Sequence, residues 1–308
     1  MILTVTLNPA VDKTYQTEEL FCGRVNRMRS VTNIPGGKGI NVARILNQYG
    51  ENVTATGFLG GFPGKWIDAR IREMGINSDF IEVDGETRSS MNVVADNGYV
   101  TEILEPGPNV SAEDLEVFCT HFSELVKEAS MVVLSGSAAP GIPEDIYARL
   151  IREASEAGKE TILDTSGELL RQGIKAAPAV VKPNRKELEY LIGHRLRDKE
   201  DLKAAAGLLL DSGVKMVVIS LGDKGLLLMN KEHSLYAKAP KVKADNTVGC
   251  GDSVVASFVM SIGRGDSEEE MLRRAAAISA ASATTFESGF VPMELAEELY
   301  EEIVVEEI

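Results

Sequence analysis

In the stretch DNTVGCGDS (245–253) a carboxylate, Asp252, follows a glycine-rich turn just where an apolar run, VVASFVM (254–260), begins to read as a helix. A helix N-terminus presents free N–H groups and partial positive charge, so it attracts anions. Asp252 can then be one of two things. It can cap the helix, a role that requires no flanking glycines. Or it can be a general base beside an anion hole: the amides of Gly249, Cys250 and Gly251 would hold charge developing on a phosphoryl group while Asp252 takes a proton from an attacking hydroxyl.

Three further segments bear on the choice. In PGGKGINVAR (35–44), Gly36, Gly37 and Gly39 let the backbone approach a ligand closely, Lys38 supplies a cation, and Asn41 on the first helical turn can bond a hydroxyl. The spacing of a P-loop is absent there, and also in GGFPGKW (60–66). In KPNRKELEYL (182–191), Asn184 and Glu187 stand three apart at a helix start. That spacing makes a capping box, and it equally suits ordering water around a Mg²⁺ carried by phosphates; both readings stay open. In SLGDKGLLL (220–228) a strand ends at Ser220, turns through Gly222 and Gly225, and returns, either as a plain turn or as the support of a nucleotide. A phosphate cradle, a lysine, an Asn/Glu pair and an anion hole in one chain point together to phosphate chemistry.

These segments need a scaffold. Runs at 2–7, 53–60, 131–137, 160–166, 179–184 and 216–222 read as strands, several continuously apolar as in parallel strands covered on both faces. Helical patterns lie between them: 41–50 ends on a glycine, 111–129 starts on Ser111 with acidic residues in its first turn, and 143–158 runs from Pro143 to Gly158. Strand and helix taking turns predicts a doubly wound, mostly parallel α/β sheet flanked by helices in one domain over 1–308. Residues 13–34 and 87–104 break that rhythm, the second with a turn at Asp96-Asn97-Gly98. They form either a small β-sheet lid over the site or two surface hairpins. The segment NKEHSLYAKAP (230–240) also reads as strand, and the tail AEELYEEIVVEEI as an acidic, solvated helical face.

Composition narrows the classes. A net charge of −15 argues against nucleic-acid or membrane-surface binding, which need a basic face. Cys22, Cys119 and Cys250 are odd in number and unpaired in spacing, which fits a reducing, cytoplasmic setting, and the three histidines share no ligand spacing. The N-terminus reads as a first strand, not a signal peptide, and no run approaches a membrane span.

Taken together, PGGKGINVAR and NTVGCGDSVVASF resemble the N- and C-terminal signatures of the ribokinase-like carbohydrate kinases of the phosphofructokinase B family, over essentially the whole chain. TLNPAVD (6–12), TRSSMNV (87–93), SGSAAPG (135–141), DTSGE (164–168) and KPNRKEL (182–188) resemble the branch that phosphorylates ketohexose phosphates, typified by 1-phosphofructokinase and tagatose-6-phosphate kinase.

The resemblance implies ATP and Mg²⁺ as cofactors and in-line transfer to fructose 1-phosphate or, alternatively, tagatose 6-phosphate. Asp252 would be the base, and the amides of Gly249, Cys250 and Gly251 would hold the transferred group. Asp12 and Asn41 would bind sugar hydroxyls with Gly37 close by. Lys38 and Arg88, with Ser137, would bind the phosphate already on the substrate, and Arg24 and Arg27 of the lid could reach it too, also from a partner subunit. Lys182, Asn184 and Glu187 would lie near the ATP phosphates and Mg²⁺, Glu187 through water, with Ser220, Gly222 and Gly225 bordering the nucleotide. Lid-to-lid pairing would give a homodimer. Two residues depart from the wider family: Asn246 stands where Asp is frequent, leaving monovalent-cation activation open, and Cys250 replaces Ala, where a helix N-terminus would lower its thiol pKa and raise its reactivity. A silent sugar-phosphate sensor on the same fold remains an alternative. A nicotinamide dehydrogenase is disfavoured because no G-x-G-x-x-G follows the first strand.

Overall fold

The computed structural model describes residues 1–308. In chain order the elements are β1 (Ile2–Thr6), β2 (Ala10–Thr17), β3 (Ser30–Gly36), α1 (Lys38–Gln48), β4 (Val53–Gly60), α2 (Gly61–Glu73), β5 (Asn77–Ser78), β6 (Ile81–Val83), β7 (Arg88–Ala95), β8 (Val100–Leu104), α3 (Ala112–Glu128), β9 (Met131–Ser135) and α4 (Ile146–Glu156). There follow β10 (Glu160–Asp164), α5 (Gly167–Ile174), β11 (Val180–Val181), α6 (Arg185–Ile192), α7 (Lys199–Asp211), β12 (Met216–Ser220), β13 (Leu226–Met229), β14 (Ser234–Ala237), α8 (Cys250–Arg264), α9 (Glu268–Ser282), α10 (Met293–Glu302) and β15 (Val305–Glu307).

The main sheet runs β15-β14-β13-β12-β11-β10-β9-β1-β4-β5, with β6 beside β4. From β12 to β5 every neighbour is parallel, and β13, β14 and β15 add an antiparallel edge. Because strand side chains alternate, Ile2, Met131 and Val133 join the core under α1, α8, α9 and α10, while Leu3, Val5, Val132 and Leu134 join the core under α3, α4 and α7. This is the doubly wound fold that the sequence predicts. From β1 the chain builds outward through β4, then returns to β9 on the other side and continues to β12. The strand order therefore reverses beside β1, and ligands bind at the carboxyl ends of strands at such a point.

The two irregular stretches form one sheet, β3-β2-β7-β8, apart from the main one, and not two separate hairpins. β2 pairs β7 in parallel, with Asp12 opposite Ser90, and this joins the halves. Three expectations need correction. The tail is helical only to Glu302; Ile303 is buried, and β15 then pairs with β14, covering its open edge. The strand expected over 179–184 is regular only at Val180–Val181: Pro183 has no N–H to give, and pairing resumes in a single bridge between Asn184 and Ser220. Helix α1 starts at Lys38, not Asn41, from Gly37 at a φ of 103°.

Gly39 seats α1 on β1. A Cβ there would lie 2.4 Å from Thr6 Oγ1 and 2.7 Å from the Val5 carbonyl oxygen. Gly39→Ala is therefore expected to push the helix off the strand and cost about 1–3 kcal/mol, read as a lower urea midpoint; an unchanged midpoint would mean that the contact is slack. No helix is long and apolar enough to cross a membrane.

Candidate active site

The N-termini of α1 and α8 meet at the reversal point. α8 starts from Gly249 in the left-handed region (φ 88°), and no side chain caps it. Asp252 is thus not an N-cap. Its carboxylate is buried and accepts a hydrogen bond from Asn41 Nδ2 at 2.9 Å, across 211 residues of chain. The Cys250 N–H has only a long bond to the Thr247 carbonyl (3.4 Å), and the next amides of the first turn have no intrahelical acceptor. Gly249 is needed for a second reason: a Cβ there would sit 3.2 Å from Ser288 Cβ.

Burial pushes the Asp252 pKa up to about 6; Lys38 opposes this, and Asp164 adds to it. Asp12, at the root of the small sheet, is also raised to about 6 by burial, against the pull of Arg88 and a Ser90 hydrogen bond. A carboxylate that titrates near 6 is poised to accept a proton at neutral pH.

Two lysines converge below α8. Lys38 Nζ lies 3.1 Å from both oxygens of Asp164, and Lys182 Nζ lies 3.2 Å from one of them. A Cβ on Gly251 would come within 3.1 Å of Lys182 Nζ, so this ammonium lies directly under the glycine turn. Burial works against the Lys38 charge, but Asp164, Asp252 and Glu187 outweigh it and raise its pKa. Asp164 stays ionised despite complete burial, because Lys182 and Lys38 hold its pKa below the usual range. Arg88 shares no partner with Lys38. It donates to the Asn8 and Glu105 carbonyls, and the carboxylates that act on it are Asp12 and Glu105. Gly37 ends the loop above Thr6 and Pro9, and Ser137 accepts a 3.4 Å bond from Asn8 Nδ2. Arg24 and Arg27 are exposed, and Arg24 lies over the Phe21 ring.

A cavity of about 790 Å³ opens beside the turn. Asn184, Ser220, Gly222, Gly225, Cys250 and Gly251 all line it. Asn184 and Glu187 make a complete capping box, the Glu187 amide donating to Asn184 Oδ1 (3.0 Å) and the Asn184 amide to Glu187 Oε2 (2.8 Å). That leaves Glu187 Oε1 free. No group of three His, Cys, Asp or Glu side chains stands close enough to hold a metal ion by itself. Such a donor set suits a hard cation carried in by phosphates, with water as its other ligands.

The sequence overlooked two features. One is Asp164, whose segment DTSGE carries no local sign of the two lysines that meet it. The other is the apolar wall of the cavity, Val242, Val254, Ala276, Ala280 and Ala283, which suits a flat ring. The run of alanines in RRAAAISAASA was the available signal for it. The expected reactivity of Cys250 is corrected: burial and the nearby Asp252 raise its thiol to about 11, outweighing the helix end. Asn246 is engaged locally, accepting from the Val248 amide and donating to the Phe286 carbonyl.

The raised carboxylate also affects stability. Between about pH 4 and 6 the folded chain holds a proton on Asp252 that the unfolded chain releases, so this contribution to stability is lost as pH rises through the window. Asp252→Asn is expected to stabilise the protein near pH 8 by about 2 kcal/mol and to flatten the rise of Tm on acidification from pH 6 to 4. Thermal melts of both proteins across this range check it; parallel curves would place the carboxylate in a wetter site.

Residues 5–294 match the model of the pfkB family carbohydrate kinases. Among solved structures, the phosphofructokinase-2 of Escherichia coli, solved with substrates and products and as a tetrameric inhibited form, is 30% identical with a TM-score of 0.89, covering 98% of each chain. A Thermotoga maritima protein described as a possible 1-phosphofructokinase is 30% identical over 100% of this chain and 99% of its own, with a TM-score of 0.91.

Proposed function

The chain belongs to the pfkB family of carbohydrate kinases, and from that premise we propose that it transfers the γ-phosphoryl group of ATP to fructose 1-phosphate, giving fructose 1,6-bisphosphate. It is a sugar kinase; the substrate and the residue roles below are our reading. The observation that carries them is the bond between Asn41 and Asp252 beside the Lys38–Asp164–Lys182 cluster, under a turn of free amides.

In this reading the sugar lies between the small sheet and α1. Asp12 and Asn41 bond its hydroxyls with Gly37 close by, and Arg88, with Ser137 at the next loop, takes the phosphate already present. Asp252 receives the proton of the attacking hydroxyl as its oxygen bonds to the γ-phosphorus. The bond from that phosphorus to the bridging oxygen breaks, and ADP leaves. The amides of Gly249, Cys250 and Gly251 and the ammonium of Lys182 carry the charge of the moving group, worth about 3 kcal/mol per well-placed donor. Adenine occupies the alanine wall, with Ser220, Gly222 and Gly225 beneath the nucleotide. Mg²⁺, when bound, would neutralise phosphate charge, held through water by Asn184 and Glu187.

A coupled ADP-release assay with MgATP and fructose 1-phosphate, tagatose 6-phosphate, fructose 6-phosphate and fructose tests the reading. Turnover is expected to be highest on fructose 1-phosphate, to be lost at least about a hundredfold in Asp252→Asn, and to fall in the wild type below about pH 6 as the base takes up its proton. Highest turnover on tagatose 6-phosphate would keep the mechanism and change the substrate. Binding without turnover would make the protein a sensor, and full activity of the variant would remove Asp252 as base.

The small sheet also exposes Val31, Val100, Ile103 and Leu104, with Val25 and Tyr99 on its loops. We propose that two such sheets pair in a homodimer, which would cover this apolar surface and the open strand edges. Light scattering should give twice the chain mass of 33.3 kDa; a single-chain mass at assay concentration would reject the dimer.

A further inference from the structure

We propose that Asp164 is a positioning residue for phosphoryl transfer: its carboxylate gathers the Lys38 and Lys182 ammonium groups beneath the Gly249–Gly251 turn and holds two cations where phosphate charge moves. This rests on the phosphotransfer reading above.

Three elements supply the cluster. Asp164 is the last residue of β10, Lys38 the first of α1, and Lys182 follows β11 directly. The carboxylate is fully buried, and its only side-chain partners are the two lysines. Without it, two like charges would face each other in a poorly solvated space, and each would gain by moving away. The cluster is also asymmetric. The Lys182 side chain is 5% exposed and that of Lys38 39%, so Lys38 can turn toward an arriving phosphate while Lys182 stays on Asp164. A buried ion cluster adds little net stability over apolar packing, so stability alone gives no reason to keep a charge here. Asp164 meets neither the acceptor hydroxyl nor the base; it acts through the lysines.

The test uses the full chain with Asp164→Asn and Asp164→Glu, checked for folding by circular dichroism. In Asp164→Asn, kcat is expected to fall about a hundredfold while the KM for ATP and for the sugar phosphate stays within about threefold, with partial recovery in Asp164→Glu. A second readout needs no activity. In ¹³C-lysine NMR the Lys38 signal, identified by its loss in Lys38→Met, should titrate at lower pH in Asp164→Asn than in wild type. The remaining charges that face it, Asp252 and Glu187 against Lys182, replace Asp164 only in part. If Asp164→Asn does not fold, Asp164→Ser, smaller and uncharged, takes its place: wild-type kcat there would overturn the inference, and a fall at constant KM would support it. An unshifted Lys38 signal or an unchanged kcat in folded Asp164→Asn overturns the inference alone. No turnover in the wild type on any sugar phosphate overturns the phosphotransfer reading, and the catalytic half of this inference with it, whatever the NMR shows.

Discussion

One hydrogen bond, from the Asn41 amide to the Asp252 carboxylate, ties together the two glycine-rich segments of the chain. It can form only if α1 and α8 bring their N-termini to the same end of the sheet, and both are brought there by glycine. Gly39 lets α1 lie against β1, and Gly249 lets the turn into α8 pass close to Ser288. The loop that carries Ser288 is fastened in turn by the buried Arg44, which donates to the Ser288 carbonyl at 2.7 Å and pairs with Glu287. Much of the architecture around the site thus serves to hold two helix ends a hydrogen bond apart.

Electrostatics at this junction run against the composition. The chain carries a net charge of −15, yet Lys38, Lys182, Arg44 and Arg88 gather around the ends of α1 and α8 and the root of the small sheet. Burial splits the carboxylates there into two kinds. Asp164, held by two ammonium groups, stays ionised, whereas Asp12 and Asp252 are raised toward neutrality. Titratable groups pushed apart in this way are the usual mark of a division of labour between fixed charge and proton transfer. Acidity elsewhere on the surface leaves this pocket as a local attractor for anions.

The root of the small sheet and the large cavity are separate parts of the site. Asp12 and Arg88 belong to the sheet's root, while Ser220, Gly222 and Gly225 lie at the far end of β12. On the phosphotransfer reading proposed above, the two parts would take the acceptor and the donor separately. In that reading positioning, more than covalent chemistry, would be the main task of the protein.

The sequence by itself determined the alternating α/β order, the glycine segments and the residue types that they present, because turns, caps and strand periodicity are local properties. It left Asp252 between cap and base, and Asn184 with Glu187 between capping box and metal site. In the first case tertiary structure removed the cap, because Asn41, distant in the chain, claims the carboxylate and no helix amide does. For the second it formed the box and left one oxygen of Glu187 free. Pairing of β2 with β7, the strand at the C-terminus, the alanine wall of the cavity and the two lysines on Asp164 all join residues far apart in the chain. No local pattern encodes such contacts. The same holds for Cys250, whose helix-end position suggested a reactive thiol until burial and a neighbouring carboxylate, both products of the fold, reversed the sign.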